Sequence, residues 1–154
     1  MNRDFSDLLS EFNARGVEYL VVGAHALAAH GQVRATKDLD VWVRPDSSNA
    51  GAVLAALRAF GAPLLDLTEV DLREPGTVFQ VGVSPVRIDI VTAIDGVEFN
   101  EAWSSRVKTR FAGLDAWVIS REHLIRNKRV VGRKQDLADV EWLESHPPGN
   151  SAGE

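Results

Sequence analysis

The chain has 154 residues and a formal net charge of -5, with 45% of residues hydrophobic, 25% charged and no cysteine. That length suits one domain with a real core, and the absent thiols exclude disulfides, thiolate nucleophiles and zinc–thiolate sites while fitting a reducing cytoplasm. The acidity argues against a protein coated for non-specific nucleic-acid binding. Asp, Glu, Arg or Gly interrupts every apolar run and Met1–Asp7 lacks an apolar signal core, so neither a membrane span nor a secretory leader is expected. The expected location is the cytoplasm.

In chain order, Phe5, Leu8, Leu9 and Phe12 predict an amphipathic helix ending near Gly16. Tyr19–Val22 reads as a buried strand, and Ala24–His30 as a short helix closed by Gly31. Asp38–Val43 is the second strand, stopped by Pro45. Ser47 is expected to cap a helix running to Phe60, and Thr68–Glu74 to form a helical turn. Val78–Val83 and Val86–Val91 read as strands joined through Ser84-Pro85. A short helix over Phe99–Ser104 precedes a strand pair, Val107–Phe111 and Ala116–Ile119, turning at Gly113. Ser120 caps a helix through Arg129, Gly132 breaks it, and a last helix carries Leu137, Val140, Trp142 and Leu143. Residues 1–146 thus read as one α+β domain, and 147–154, opening with Pro147-Pro148-Gly149, as a polar, disordered tail.

The chemistry is concentrated where a strand runs into a glycine turn, Val21-Val22-Gly23-Ala24-His25. Thirteen residues separate Ala24 from the run Asp38-Leu39-Asp40-Val41. Alternate strand residues share a face, so Asp38 and Asp40 point together while Leu39 and Val41 point into the core. Two such carboxylates repel unless a cation neutralises them, and hard oxygen ligands suit Mg2+. A glycine turn before a helix offers backbone N–H groups to phosphate. Arg87-Ile88-Asp89-Ile90 repeats the pattern, so if that strand lies beside the second one, three carboxylates meet on one face. Such a triad suits two metal ions and in-line displacement at phosphorus.

Each feature has a plainer reading. A single Asp on a half-exposed strand is most often just solvated, and a glycine after a strand is most often a turn residue. Asp is a poor strand former, however, and three of them on Val/Ile/Leu-rich strands favour a site. Arg34 and Lys37 flank the acids and either bind phosphate or pair with the aspartates. Between Arg121 and Lys134, Arg121, Arg126, Lys128, Arg129, Arg133 and Lys134 face only Glu122, a local basic patch suited to a polyanionic ligand. His25 reads as helix packing, and the four tryptophans as core or rim.

These residues together resemble the DNA polymerase beta-like nucleotidyltransferase superfamily, in which a strand, Gly-Gly or Gly-Ser, a spacer and Asp-x-Asp recur. Here that is Val22-Gly23-Ala24 and Asp38-Leu39-Asp40, with Asp89 matching the third acid. Within it the chain is most similar to small stand-alone bacterial proteins related to AbiEii-type toxin nucleotidyltransferases. The matching runs are Arg34-Ala35-Thr36-Lys37-Asp38-Leu39-Asp40, Ile119-Ser120 with Leu124-Ile125 and Lys128, and Gly132-Arg133-Lys134 with Asp136-Leu137 and Asp139. The likeness covers Val17 to Leu143.

The resemblance implies a mixed β-sheet with helices packed on one side and a C-terminal helix pair. It implies transfer of NMP from an NTP, such as ATP, to a hydroxyl acceptor, with Mg2+ or Mn2+ as cofactor and release of pyrophosphate. Asp38, Asp40 and Asp89 would be the catalytic and metal-binding acids. Gly23, Ala24, Arg34, Lys128 and Lys134 would hold the nucleotide. The acceptor would be a tRNA end, a protein or a small molecule, with a cognate toxin or antitoxin as a further partner. One departure is Ala24, which offers only its amide where relatives have a second Gly or a Ser. It keeps open a non-catalytic nucleotide-binding or antitoxin-like module. A metal-dependent nuclease also fits clustered aspartates but has no need of the Gly23 turn.

Overall fold

The computed structural model describes residues 3–34, 36–82, 87–111 and 113–148. The expected Ser84-Pro85 connection, Val83, Val86 and the tail from Gly149 lie outside the described residues, as does Ala35 of the Arg34–Asp40 run. The elements in order are α1 (Arg3–Ala14), β1 (Tyr19–Val22), α2 (Gly23–Ala29), β2 (Asp38–Val43), α3 (Ser47–Phe60) and α4 (Glu69–Arg73). There follow β3 (Val78–Val81), β4 (Arg87–Val91), α5 (Phe99–Ser104), β5 (Val107–Phe111), β6 (Leu114–Val118), α6 (Arg121–Val131) and α7 (Lys134–Ser145). The helix at residue 47 is capped by Asp46 and not by Ser47: the Asp46 carboxylate accepts the Asn49 amide at 2.8 Å. Aspartate caps as well as serine does, and Asp46 has the extended backbone a cap requires.

The six strands form one mixed sheet in the order β3-β4-β2-β1-β6-β5. β2 pairs antiparallel with β1 and parallel with β4, so Asp40 stands opposite Val22 on one side and Asp89 on the other. Side-chain alternation then divides the sheet. Tyr19, Val21, Leu39, Val41, Val43, Ile88, Ile90 and Val118 share one face and are buried. Phe12 of α1 meets the Tyr19 ring at 5.6 Å on that side, and α1 packs against α3, so this is the main core. Asp38, Asp40 and Trp42 share the other face with Arg87 and Asp89. There α5 lays Phe99 edge-on to Trp42 at 4.9 Å, one short helix on the carboxylate face. Asn49 stitches α3 to the strand ends: it accepts the Glu18 amide and donates to the Glu18 and Arg44 carbonyls.

No helix among the described residues is long and apolar enough to cross a membrane. His25 lies between Phe5 and Phe111, each ring 5.4 Å away and edge-on, and burial lowers its pKa. This is the packing role its position predicts. Trp42 is core, whereas Trp103, Trp117 and Trp142 are partly buried at its rim.

Candidate active site

The three predicted acids come together because β4 lies beside β2 in parallel register, with Asp40 directly paired to Asp89 and Asp38 to Arg87. Opposed strand positions bring Cβ atoms within about 5.5 Å. Burial pushes the Asp40 carboxyl up to about 6, with the charges of Asp89 and Asp38 adding to the rise. Asp89 is more enclosed than Asp38, and its Oδ1 is shielded from solvent without a hydrogen-bond partner.

A fourth group, Arg87, completes the face. Its Nη2 donates to Asp38 Oδ2 at 3.3 Å, and its Nε lies 3.7 Å from Asp89 Oδ1, an ion pair too long for a hydrogen bond. The sequence motif by itself gives Arg87 no role. The signal was present: it stands two residues before Asp89 on one strand, and i and i+2 share a face.

Gly23 has a second reason to be glycine besides phosphate access. Its φ is +68°, and a Cβ there would lie 2.3 Å from Asp40 Oδ2. The β1–α2 turn therefore rests directly on the central carboxylate. Gly23→Ala is expected to displace Asp40 and to cost about 1–3 kcal/mol in stability from the strained backbone and the clash. Thermal unfolding measures this, and an unchanged midpoint would mean that the turn and the carboxylate do not touch. Ala24 is half-buried in the first turn of α2.

The basic residues are placed differently from a free cationic face. Arg34 donates through Nη2 to Asp139 Oδ1 at 2.6 Å, and Lys128 Nζ to Asp139 Oδ2 at 2.8 Å. Gln135 adds a third donor at 2.9 Å, and Asp136 lies 3.6 Å from Lys128. Burial works to raise the Asp139 carboxyl, but hydrogen bonds from Arg34, Lys128 and Gln135 outweigh it and hold it down at about 2. Lys128 is only 8% exposed, and its ammonium is taken up by Asp139 and Asp136. Arg126 pairs with Glu101, Arg129 with Glu144 and Arg133 with Asp136, so most of the patch is neutralised within the fold. The acids that do this stand on other helices or one turn away, beyond the window over which the charge excess was counted. Lys134 and Lys37 are exposed. Asp139 was visible in sequence only as part of a motif; its role as the hub joining α6, α7 and the loop before β2 depends on tertiary contact.

The acidic donor set is the kind that binds a hard cation: carboxylate oxygens on adjoining strands, one of them buried and unpartnered. Among the described residues, though, no group of three or more acidic or histidine side chains is gathered closely enough to hold a metal outright. Arg87 is a cation already drawn to two of the three acids.

A mixed sheet whose first strand turns through glycine onto paired carboxylates of its neighbours is the nucleotidyltransferase fold. The chain matches, over residues 4–144, the family described as nucleotidyltransferase of unknown function (DUF6036), and it belongs to that family. Among solved structures it is similar to the lincosamide antibiotic adenylyltransferase LnuA bound to lincomycin, with 15% identity, a TM-score of 0.60, and 96% of this chain and 98% of that one covered. It is similar also to the antibiotic-resistance factor ANT(2'')-Ia, at 18% identity and a TM-score of 0.61, covering 92% of this chain and 81% of that one. A third is an antigenic nucleotidyltransferase-like protein from Paracoccidioides brasiliensis, at 14% identity and a TM-score of 0.54, covering 90% and 72%. At these identities the likeness is one of fold. No curated protein matches the chain. The AbiEii-related branch is not among these findings.

Proposed function

We propose that the protein transfers NMP from an NTP to a hydroxyl acceptor and releases pyrophosphate, using Mg2+ or Mn2+. The observation that carries the reading is the register that sets Asp40 against Asp89, with Asp38 on the same face and the Gly23 turn resting on Asp40. A divalent cation held by Asp38, Asp40 and Asp89 would neutralise the triphosphate and lower the pKa of the acceptor hydroxyl. The acceptor oxygen bonds to the α-phosphorus as the bond from that phosphorus to the bridging oxygen breaks. Asp89, the more enclosed of the flanking acids, takes the acceptor proton. The Gly23 and Ala24 amides face the phosphates, and Arg34, in the loop leading to Asp38, balances charge on the departing pyrophosphate. Lys128 supports Arg34 through Asp139, and Lys134 is the outer cation of the set.

The acceptor class follows only from resemblance: a tRNA end, a protein or a small molecule. The structurally similar LnuA with bound lincomycin and ANT(2'')-Ia in complex with adenylyl-2''-tobramycin support trying antibiotic-like acceptors, and the sequence likeness to AbiEii-type toxins supports trying tRNA. A cytoplasmic location and a toxin–antitoxin pairing belong to that same sequence-based reading. The test incubates the protein with labelled NTPs, Mn2+ or Mg2+ and each acceptor. Label should move to one acceptor with wild type and not with Asp38→Ala plus Asp40→Ala; equal counts for both proteins would sink the reading for that acceptor.

A second reading is a non-catalytic nucleotide-binding or antitoxin-like module. Ala24 and the Arg87–Asp38 ion pair favour it. Calorimetry with NTP, with and without Mg2+, separates the two: a transferase binds more tightly with the metal, and a protein-docking module ignores both.

A further inference from the structure

We propose that Arg87 is a built-in counter-ion that competes with the divalent cation for the carboxylate face. The inference rests on the metal-binding reading above and adds a residue to it. Three carboxylates face one guanidinium, which lies 3.3 Å from Asp38 and 3.7 Å from Asp89. The central acid, Asp40, has no ion pair among the described residues, so two negative charges remain unbalanced. Arg87 is placed to do this by the fold itself. It opens β4, its amide donates to the Lys37 carbonyl at 3.1 Å, and its register partner is Asp38. A guanidinium cannot discard its charge by losing a proton, so the only way it yields is by moving.

Its side chain is about one-third exposed, which leaves room to swing away, while its Nε is shielded and unbonded. That donor has no hydrogen bond to lose when it leaves. An entering divalent cation would replace Arg87 as the positive partner of Asp38 and Asp89, and the freed guanidinium would be available to an anion such as a triphosphate. The protein without nucleotide therefore binds the cation weakly, and a metal-bound triphosphate, which gives Arg87 a new anionic partner, binds more tightly than its parts.

The probe is Mn2+ alone, followed by electron paramagnetic resonance or calorimetry on the intact chain without nucleotide. Arg87→Gln keeps the length and polarity of the side chain and removes the competing charge. A unit charge about 4 Å from the acids in a partly solvated site opposes a second cation there, so on its removal Mn2+ affinity is expected to rise at least about tenfold. Arg87→Lys, which keeps the charge, should stay within a few-fold of wild type. Far-ultraviolet circular dichroism checks that each variant is folded. If Mn2+ binds wild type and Arg87→Gln equally well, or the variant more weakly, Arg87 positions the carboxylates and does not compete, and the proposal is overturned while the metal reading stands. If neither form binds Mn2+ at millimolar concentration, the metal reading itself fails and this inference goes with it.

Discussion

Asp40→Asn is expected to abolish nucleotidyl transfer and at the same time to stabilise the metal-free protein. Both effects come from one environment. Burial and the charges of Asp89 and Asp38 raise the Asp40 carboxyl to about 6, so the folded state holds its proton more tightly than the unfolded chain, where an aspartate titrates near 3.9. Between those values the folded protein carries more bound protons, and linkage makes its stability fall as pH rises through that window. At pH 7 the ionised group works against folding, by about 1–2 kcal/mol after allowance for solvent screening. Asparagine removes that charge and its repulsion. The stability advantage of Asp40→Asn over wild type should therefore be near zero at pH 4 and largest at pH 7. Taking the difference matters because burial also lowers the pKa values of His25 and His30, which act in the opposite sense below about pH 6.5. Mn2+ affinity of wild type should weaken as pH falls through about 6, where Asp40 regains its proton. Urea unfolding at several pH values measures the first effect, and a flat difference would mean that neither burial nor the neighbouring acids raise the Asp40 carboxyl.

The largest loss of stability is expected at Asp139. Its carboxylate is 1% exposed and receives Arg34, Lys128 and Gln135. Removing one partner of a buried ion pair leaves the other charge uncompensated and typically costs about 3–5 kcal/mol. Asp139→Ala is expected to lose that much in denaturant unfolding, and Lys128→Ala somewhat less, because Arg34 still pairs with the acid. The apolar double replacement Lys128→Met with Asp139→Leu should recover part of the loss, since neither charge is then stranded. A double variant as unstable as the sum of the single changes would show that the two side chains are not coupled. Asp139→Ala also frees Arg34 and loosens the loop that enters β2, so transfer should fall in step with the order of that loop.

The fold was largely legible because its elements follow from local periodicity. The period-2 alternation of β2 and β4 separated Leu39, Val41, Ile88 and Ile90 from the acids, and the cap at Ser120 and the helix-ending Gly132 stand where expected. The three acids were legible for the same reason, since a strand bearing Asp at every second position between core residues says which way each one points. Side-chain alternation does not say which strand lies beside which. The pairing of Asp40 with Asp89 needed the parallel crossover from β2 to β4, a tertiary choice that side-chain periodicity does not encode. The cations are the clearest case of what only the tertiary structure decided. Between Arg121 and Lys134 the chain reads as a basic face because a linear window counts charge without distance. In the fold Asp139, Glu101 and Glu144 reach back across space to neutralise it, whereas Arg87, whose strand position shows its face but not its partners, is drawn to the carboxylates because a guanidinium there has acids for its nearest neighbours.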